Sequence, residues 1–405
     1  MLKFPSSTQG HRNLSCTLLP MAYLIYQKGE DMQRLIVGSL MASLWTGAAQ
    51  AQIFQTELVD IRAETLAEGL QYPWGLDFLT DGNAIVTERG GTMRVLSKGE
   101  LSAPVEGAPE VAAVGQGGLL DVAAAPDFAE SGMVYFSFSE PGEGGAGTAI
   151  GRGKLVQDGE TWRLEGVETI FSMGKKTSKS QHFGSRLAFH PDGTLFFTIG
   201  ERGQGERAQD PADHAGSVLR INPDGSVPED NPFVGQENAA PEIWSIGHRN
   251  PQGMVFDPVT NTIWVVEHGA RGGDEVNHVE PGKNYGWPVI SYGVHYSGQK
   301  IGIGTEAEGY EQPEYYWDPS IAPSGMAVYT GRMFPEWQGD FLVGALKFEL
   351  LSRLERGSDG KVTGEEQLLK GSFGRIRDVN VAPDGSIWLL NDEASGAIIR
   401  ISRAR

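Results

Sequence analysis

A chain of 405 residues with a formal charge of −19 at pH 7 is too acidic to favour nucleic acid or an anionic membrane surface as its partner. Its 40% hydrophobic content is enough for a buried core, and 55 glycines with little helix-period apolar patterning point to many short strands joined by turns. The one cysteine, Cys16, excludes a disulfide scaffold.

Residues 1–31 carry no fold pattern and are expected to be a misassigned start or a disordered extension. Residues 32–51, MQRLIVGSLMASLWTGAAQA, have the layout of a secretory signal. Arg34 is the positive end, residues 35–45 the apolar run, and Ala49-Gln50-Ala51 the cleavage site before Gln52. That run is too short to span a bilayer. Removing residues 1–51 takes four of the 33 basic and two of the 52 acidic residues, leaving 29 against 50 and a charge of −21. Cys16 leaves with it. The expectation is a periplasmic protein with no membrane insertion after processing, and residues 52–405 as one domain.

From Leu76 onward a unit recurs: a short apolar strand, a turn of the Pro-Asp-Gly kind, then a second strand followed by an acidic or glycine-bearing loop. Its copies begin at Leu76 (LDFLTDGNAIVTERG), Val122 (VAAAPDFAESGMVYFSFSE), Leu187 (LAFHPDGTLFFTIGERG), Met254 (MVFDPVTNTIWVVEHG), Met326 (MAVYTGRMFPEWQGDFLVGAL) and Val379 (VNVAPDGSIWLLND). The central turns suit tight hairpins. Six related copies predict an all-β fold, a six-bladed β-propeller with four-stranded antiparallel blades. Closure then requires residues 55–70 to pair near 398–402.

Loops from every blade of such a ring meet at one axial mouth, and several polar clusters fall at blade ends. His182, in KSQHFGSRLAFHPDG, precedes a first strand. It suits a general base working near neutrality, or else a hydrogen-bonded loop histidine. His190 reads as structural, and His248 as either a site residue or a brace for its turn. Arg249, Asn250 and Gln252 precede the fourth unit, Lys347 ends the second strand of the fifth, and Arg375 and Arg377 precede the sixth. Converging, these cations would form a pocket for a compact polyanion; unconverged, they would be surface ion pairs with the surplus acids. Glu275 and the carbonyls near Tyr285 could cage calcium, although no D-x-D-x-D-G loop is present. DPADH at 210–214 reads as a solvated acidic turn. GRGKL at 151–155 and GQGGLL at 115–120 read as glycine turns too short for a dinucleotide fingerprint.

GQGGLLDVA, HFGSRLAFHPDG, GHRNPQGMVFDP, EHGARGGDEVN with GKNYGWP, and RIRDV-x-VAPDG together resemble the soluble pyrroloquinoline-quinone (PQQ) dependent aldose sugar dehydrogenases. This is the glucose/sorbosone dehydrogenase family, and the likeness is to its bacterial periplasmic branch, across roughly residues 60–403. The resemblance implies PQQ and Ca²⁺ in the axial mouth, and aldose oxidation at C1 to the lactone by hydride transfer to the quinone. Electrons would pass to an external acceptor, a quinone or redox protein. It further implies that His182 is the base and that Arg249, Asn250, Lys347, Arg375 and Arg377 hold the cofactor, with Tyr296 lying against it. Gln116 and Gln181 would face the sugar. The carbonyls of Gly269 and Ala270 would hold one calcium, and Glu275 with the Tyr285 carbonyl a second. Two departures stand out. Ala270 replaces a proline found in some members, which leaves the needed carbonyl intact. Gln181 replaces an aspartate of the glucose-specialised branch, which favours broad aldose use. A calcium-dependent propeller lactonase and a non-catalytic binding propeller are the competing functions.

Overall fold

The structure is a computed structural model that describes residues 51–80 and 82–404. The expected extension (1–31) and signal (32–51) lie outside the described residues, apart from Ala51.

Six antiparallel sheets account for nearly all the regular structure, five of four strands and one of five. Blade 1 comprises Pro73–Phe78, Ala84–Glu88, Thr92–Ser97 and Glu100–Leu101. Blade 2 comprises Leu119–Ala124, Met133–Gly142, Gly145–Asp158 and Thr161–Ser172. Blade 3 comprises Leu187–Phe189, Leu195–Ile199, Ser217–Ile221 and Ile243–Ile246. Blade 4 comprises Pro251–Asp257, Thr262–Glu267, Asp274–Val279 and Tyr315–Trp317. Blade 5 comprises Pro323–Val328, Phe341–Ala345, Leu350–Arg356 and Val362–Leu368. Blade 6 comprises Ile376–Val381, Ile387–Asn391 and Gly396–Arg403, completed by Ile61–Leu70 and edged by Gln52–Phe54. The fold is the six-bladed propeller that the repeats require.

Closure follows the expected seam, with Arg62 opposite Ser402 and Ala67 opposite Ile398. The short strand Gln52–Phe54, pairing outside it with Ile61, Arg62 and Ala63, was not anticipated. GRGKL is also not a turn: it lies inside the long strand Gly145–Asp158. There Gly151 has the Phe136 ring where a side chain would stand, so its glycine serves packing rather than bending.

Each blade buries its apolar face against the next. Val86 and Leu76 of blade 1 pack on Leu390 and Ile398 of blade 6. Phe197 and Leu219 of blade 3 pack on Tyr135 and Ile150 of blade 2, and Val343 and Phe341 of blade 5 on Val266 and Val276 of blade 4. Each such buried aliphatic or aromatic side chain contributes about 1.5–3 kcal/mol, so the blade interfaces are the core. At the axis the first strands come so close that glycine is obligatory. A Cβ on Gly75 or Gly325 would strike Asp121 or Asp378 of the next blade. These aspartates stitch the ring: Asp378 accepts from Leu76 N at 3.0 Å, Asp77 from Ala124 N at 2.7 Å and Asp121 from Leu187 N at 2.8 Å. Arg186 of blade 3 joins Asp121 at 2.9 Å and reaches Asp378 of blade 6 at 2.8 Å.

Candidate active site

Four second strands end in an acid or run out into one within two residues, at the same end of the ring: Glu88 and Glu267 close their strands, and Glu201 and Asp392 follow theirs. Each holds part of the loop beside it. Glu88 accepts from Gln71 N at 2.7 Å, and Glu267 from His248 Nδ1 at 2.7 Å and Arg249 N at 2.6 Å. Asp392 takes Arg377 Nη2 at 2.9 Å and Arg375 Nη2 at 3.3 Å. Glu201 lies 2.5 Å from His182 Nδ1. Glu201 was missed as a functional residue in the sequence, although its signal was there: TERG, GERG, VEHG and NDE recur at equivalent places.

His182 is 7% exposed and sits in the left-handed backbone region with φ 57°. Its Nδ1 is taken by Glu201, and no protein partner is recorded for Nε2 among the described residues. Burial lowers the imidazole pKa. Glu201 opposes that, and the Arg249 and Arg202 cations reinforce it, so the net shift is downward. The ring is therefore neutral at neutral pH, the form that accepts a proton. Gln116 is exposed, and its carbonyl oxygen accepts from His182 N at 2.7 Å. Gln181, also exposed, precedes the histidine.

Arg249 and Asn250 come from the turn into blade 4 and are buried. Arg249 Nη1 donates to His268 O at 3.1 Å, its guanidinium lies 5.1 Å from the Trp287 ring, and its Nε has no partner among the described residues. Asn250 Oδ1 accepts from Gly184 N at 3.1 Å, whereas Nδ2 has no partner. His268 records how closely these groups meet. Burial, then the Arg249 and Arg377 cations, push its pKa down to about 3.

Arg377 is buried too, inside the first strand of blade 6 rather than before it as the sequence suggested. Its Nη1 donates to Gln252 Oε1 at 2.8 Å, while Nε is unpartnered. Arg375 stands at the rim and donates to Leu346 O at 3.2 Å. Lys347 lies two residues beyond its strand and is exposed. With Tyr296, Ala270, Gly269 and His268 it lines a cavity of about 450 Å³. Tyr296 is 75% exposed and forms the outer wall. His248 is a brace, fully buried between Glu267 and Ser245.

A second, much smaller cavity of about 10 Å³ is lined by Glu267, Glu275, Tyr285, Gly269 and Gly273, space for one water or ion. Burial and the neighbouring Glu267 and Asp274 carboxylates push Glu275 up to about 8. Asn277 Nδ2 reaches Glu267 at 3.0 Å and Glu275 at 3.2 Å, leaving its Oδ1 unpartnered. Among the described residues no three His, Cys, Asp or Glu side chains form a ready cage, so a cation here would draw on carbonyls and water as well. The Tyr285 side chain is committed elsewhere. Its ring stacks on His248 at 4.6 Å, and its hydroxyl bonds His278 O and Glu280 N. Gly269 donates to Asp274 Oδ1 at 2.8 Å, and a Cβ there would strike the carbonyls of Gly272 and Gly273. The loop is thus folded tightly on its own carbonyl groups.

DPADH is the expected turn and is solvated in part, with Asp210 and Ala212 exposed, but not at Asp213. Asp213 is buried and takes two 2.8 Å bonds from Arg207, because the loop packs inward under the 3₁₀ turn Gly205–Gln209.

The model of the glucose/sorbosone dehydrogenase family matches residues 70–400, and the chain belongs to that family. It is 43% identical over 368 residues to the aldose sugar dehydrogenase YliI of Escherichia coli K12, covering 90% of this chain and 96% of that protein. The crystal structure of the soluble E. coli aldose sugar dehydrogenase in its apo form is similar with a TM-score of 0.82 and 44% identity, over 85% of this chain and 100% of that one. The PQQ-bound aldose sugar dehydrogenase from Streptomyces coelicolor matches with a TM-score of 0.70 and 28% identity, over 87% and 99%.

Proposed function

We propose that this protein oxidises aldose sugars at C1 to the lactone, with PQQ and Ca²⁺ as cofactors and His182 as general base, and delivers the electrons to an external acceptor. The carrying observation is the set of buried donors without partners among the described residues, Arg249 Nε, Asn250 Nδ2 and Arg377 Nε; both arginines bear on His268, and Arg249 also on the neutral His182. Buried polar groups are rarely left unsatisfied. A compact tricarboxylate supplies the acceptors these lack, and its relatives' names are those of sugar dehydrogenases, one of them PQQ-bound.

Arg249, Asn250, Lys347, Arg375 and Arg377 would hold PQQ, with Tyr296 covering its outer side. The Gly269 and Ala270 carbonyls would hold one calcium, and the small cavity by Glu275 and the Tyr285 carbonyl would take another. When bound, the quinone supplies the two-electron redox chemistry and calcium the Lewis acidity at its carbonyl. The chain's own groups do the rest. Glu201 keeps the Nδ1 proton of His182, so Nε2 carries the lone pair that takes the hydroxyl proton at sugar C1. The same carboxylate then stabilises the imidazolium. Gln116 and Gln181 orient the sugar from the exposed side. A lactonase would instead need free carboxylates around an axial metal, and the mouth acids are tied to histidine or arginine. Export rests on residues 32–51, and the protein is proposed to work in the periplasm, residues 52–405 forming one domain.

Dye reduction by purified protein with a panel of aldoses, with and without PQQ and calcium, tests the proposal. Activity is expected only with PQQ present, and turnover indifferent to PQQ would refute it.

A further inference from the structure

Arg202, directly after Glu201, is the least explained charge near the mouth. It is fully buried, and no carboxylate lies within ion-pair distance of it among the described residues. Burial and the Arg207 cation lower its pKa to about 10. An unpaired buried guanidinium is a costly feature, so what it touches is informative. Nη1 donates to Gln181 O, and Nη2 to Lys179 O at 2.8 Å and to Ala146 O at 3.3 Å. The guanidinium lies 3.4 Å from the centre of the Phe183 ring. Its contacts therefore fall on the residue before His182 and the residue after it. Ala146 belongs to the long hairpin of blade 2, which also pairs with Thr177 of the same loop.

The loop needs such a fastening. His182, Ser185 and Arg202 have φ of 57°, 85° and 60°, and each non-glycine residue there costs about 1–2 kcal/mol. Glu201 fixes the ring of His182 and Gln116 its backbone N–H, while Thr148 and Asn250 hold Phe183 O and Gly184 N; none of these bonds the carbonyls of Lys179 and Gln181. Resting on the catalytic role assigned above to His182, we propose that Arg202 is a positioning residue that clamps residues 179–183 to the blade 2 hairpin and so aims His182 into the mouth. A planar fork with several N–H donors spans three separate carbonyls in a way that a lysine ammonium does not.

The test compares wild type with Arg202→Lys, which keeps a buried cation, and Arg202→Met. Hydrogen exchange of the peptide spanning 178–183, measured on cofactor-free protein, is expected to quicken about tenfold or more in both variants, while peptides of blades 4 and 5 keep their rates. In cofactor-loaded protein kcat is expected to fall roughly ten- to hundredfold with PQQ affinity within about twofold, and Lys is expected to recover part of the loss. In Arg202→Met the acid limb of the pH profile should move upward as His182 loses a nearby cation. Unchanged exchange in Arg202→Lys overturns the proposal even if Arg202→Met does not fold. So does a loss of PQQ affinity that matches the loss of kcat. His182→Ala serves as the control. If it retains turnover, the catalytic assignment falls, whereas the exchange result on the clamp is decided separately.

Discussion

Two buried arginines show what distinguishes the mouth from the rest of the ring. Arg353, on the third strand of blade 5, is 1% exposed and meets Asp340 at 2.7 Å and Glu366 at 2.8 Å, with the Trp337 ring 5.6 Å away. Arg249, in the mouth, is about as buried but meets one backbone carbonyl, a tryptophan face and no carboxylate within ion-pair distance among the described residues. The acid nearest to it in the repeat, Glu267, is spent on a histidine and on its backbone N–H. A chain with so many acids could readily pair every guanidinium. Where it leaves one half-satisfied in the mouth, the proposed cofactor would supply the missing partner.

The comparison can be broken in several ways, of decreasing size. The mouth should hold a reactive imidazole: His182→Ala is expected to lower kcat by roughly 10²–10⁴-fold while PQQ titration of the apoprotein gives nearly the wild-type affinity. Loss of binding with normal residual turnover would contradict that. Next, the two arginines should fail differently. Arg353→Ala is expected to cost about 3–5 kcal/mol of stability by stranding Asp340 and Glu366, read by chemical denaturation. Arg249→Ala should weaken PQQ by about 1.5–3 kcal/mol, ten- to hundredfold, with a smaller stability change, whereas Arg377→Ala should weaken PQQ and also cost stability by stranding Asp392. If Arg249→Ala unfolds the protein as Arg353→Ala does, the distinction is false.

Calcium sharpens the same contrast. Added Ca²⁺ should raise the melting temperature of wild type by a few degrees, and Glu275→Gln should abolish most of that gain, because the buried carboxylate, pushed up to about 8 without a cation, is what a cation would hold ionised. The smallest effect is in pH. Burial and Arg249 keep His182 below the ordinary value of about 6.5. The base therefore stays unprotonated to lower pH, and the acid limb of kcat should fall below that value. A limb at or above it would mean that the imidazole is not the desolvated one described here.

The ring was legible because each blade repeats a strand, a turn and an acidic exit, and its seam could be placed at 55–70 with 398–402 on topology alone. The mouth was legible in part. His182 and Arg249 stand just before first strands and Arg377 near the start of one, and periodicity brings such blade ends together. What stayed hidden depends on pairing. Glu201 and Asp392 read only as part of an acidic exit loop, and what these two and Glu267 each hold came from the structure. DPADH misled because composition does not reveal that Arg207, three residues upstream of Asp210, folds back onto Asp213. Gly151 misled because a glycine facing a phenylalanine ring across a sheet reads in one dimension like a turn.

The seam in blade 6 has a consequence for how the ring is made. Ile61 lies opposite Arg403, so the first blade-forming strand waits for the last strand of the ring. Until then the growing chain presents open sheet edges, which recruit other strands. The molecule therefore depends on a late, long-range zippering step that no early portion of the polypeptide can rehearse. A permuted chain severed between two blades, with the present seam bridged covalently, would shift that vulnerable moment to another blade without altering the mouth.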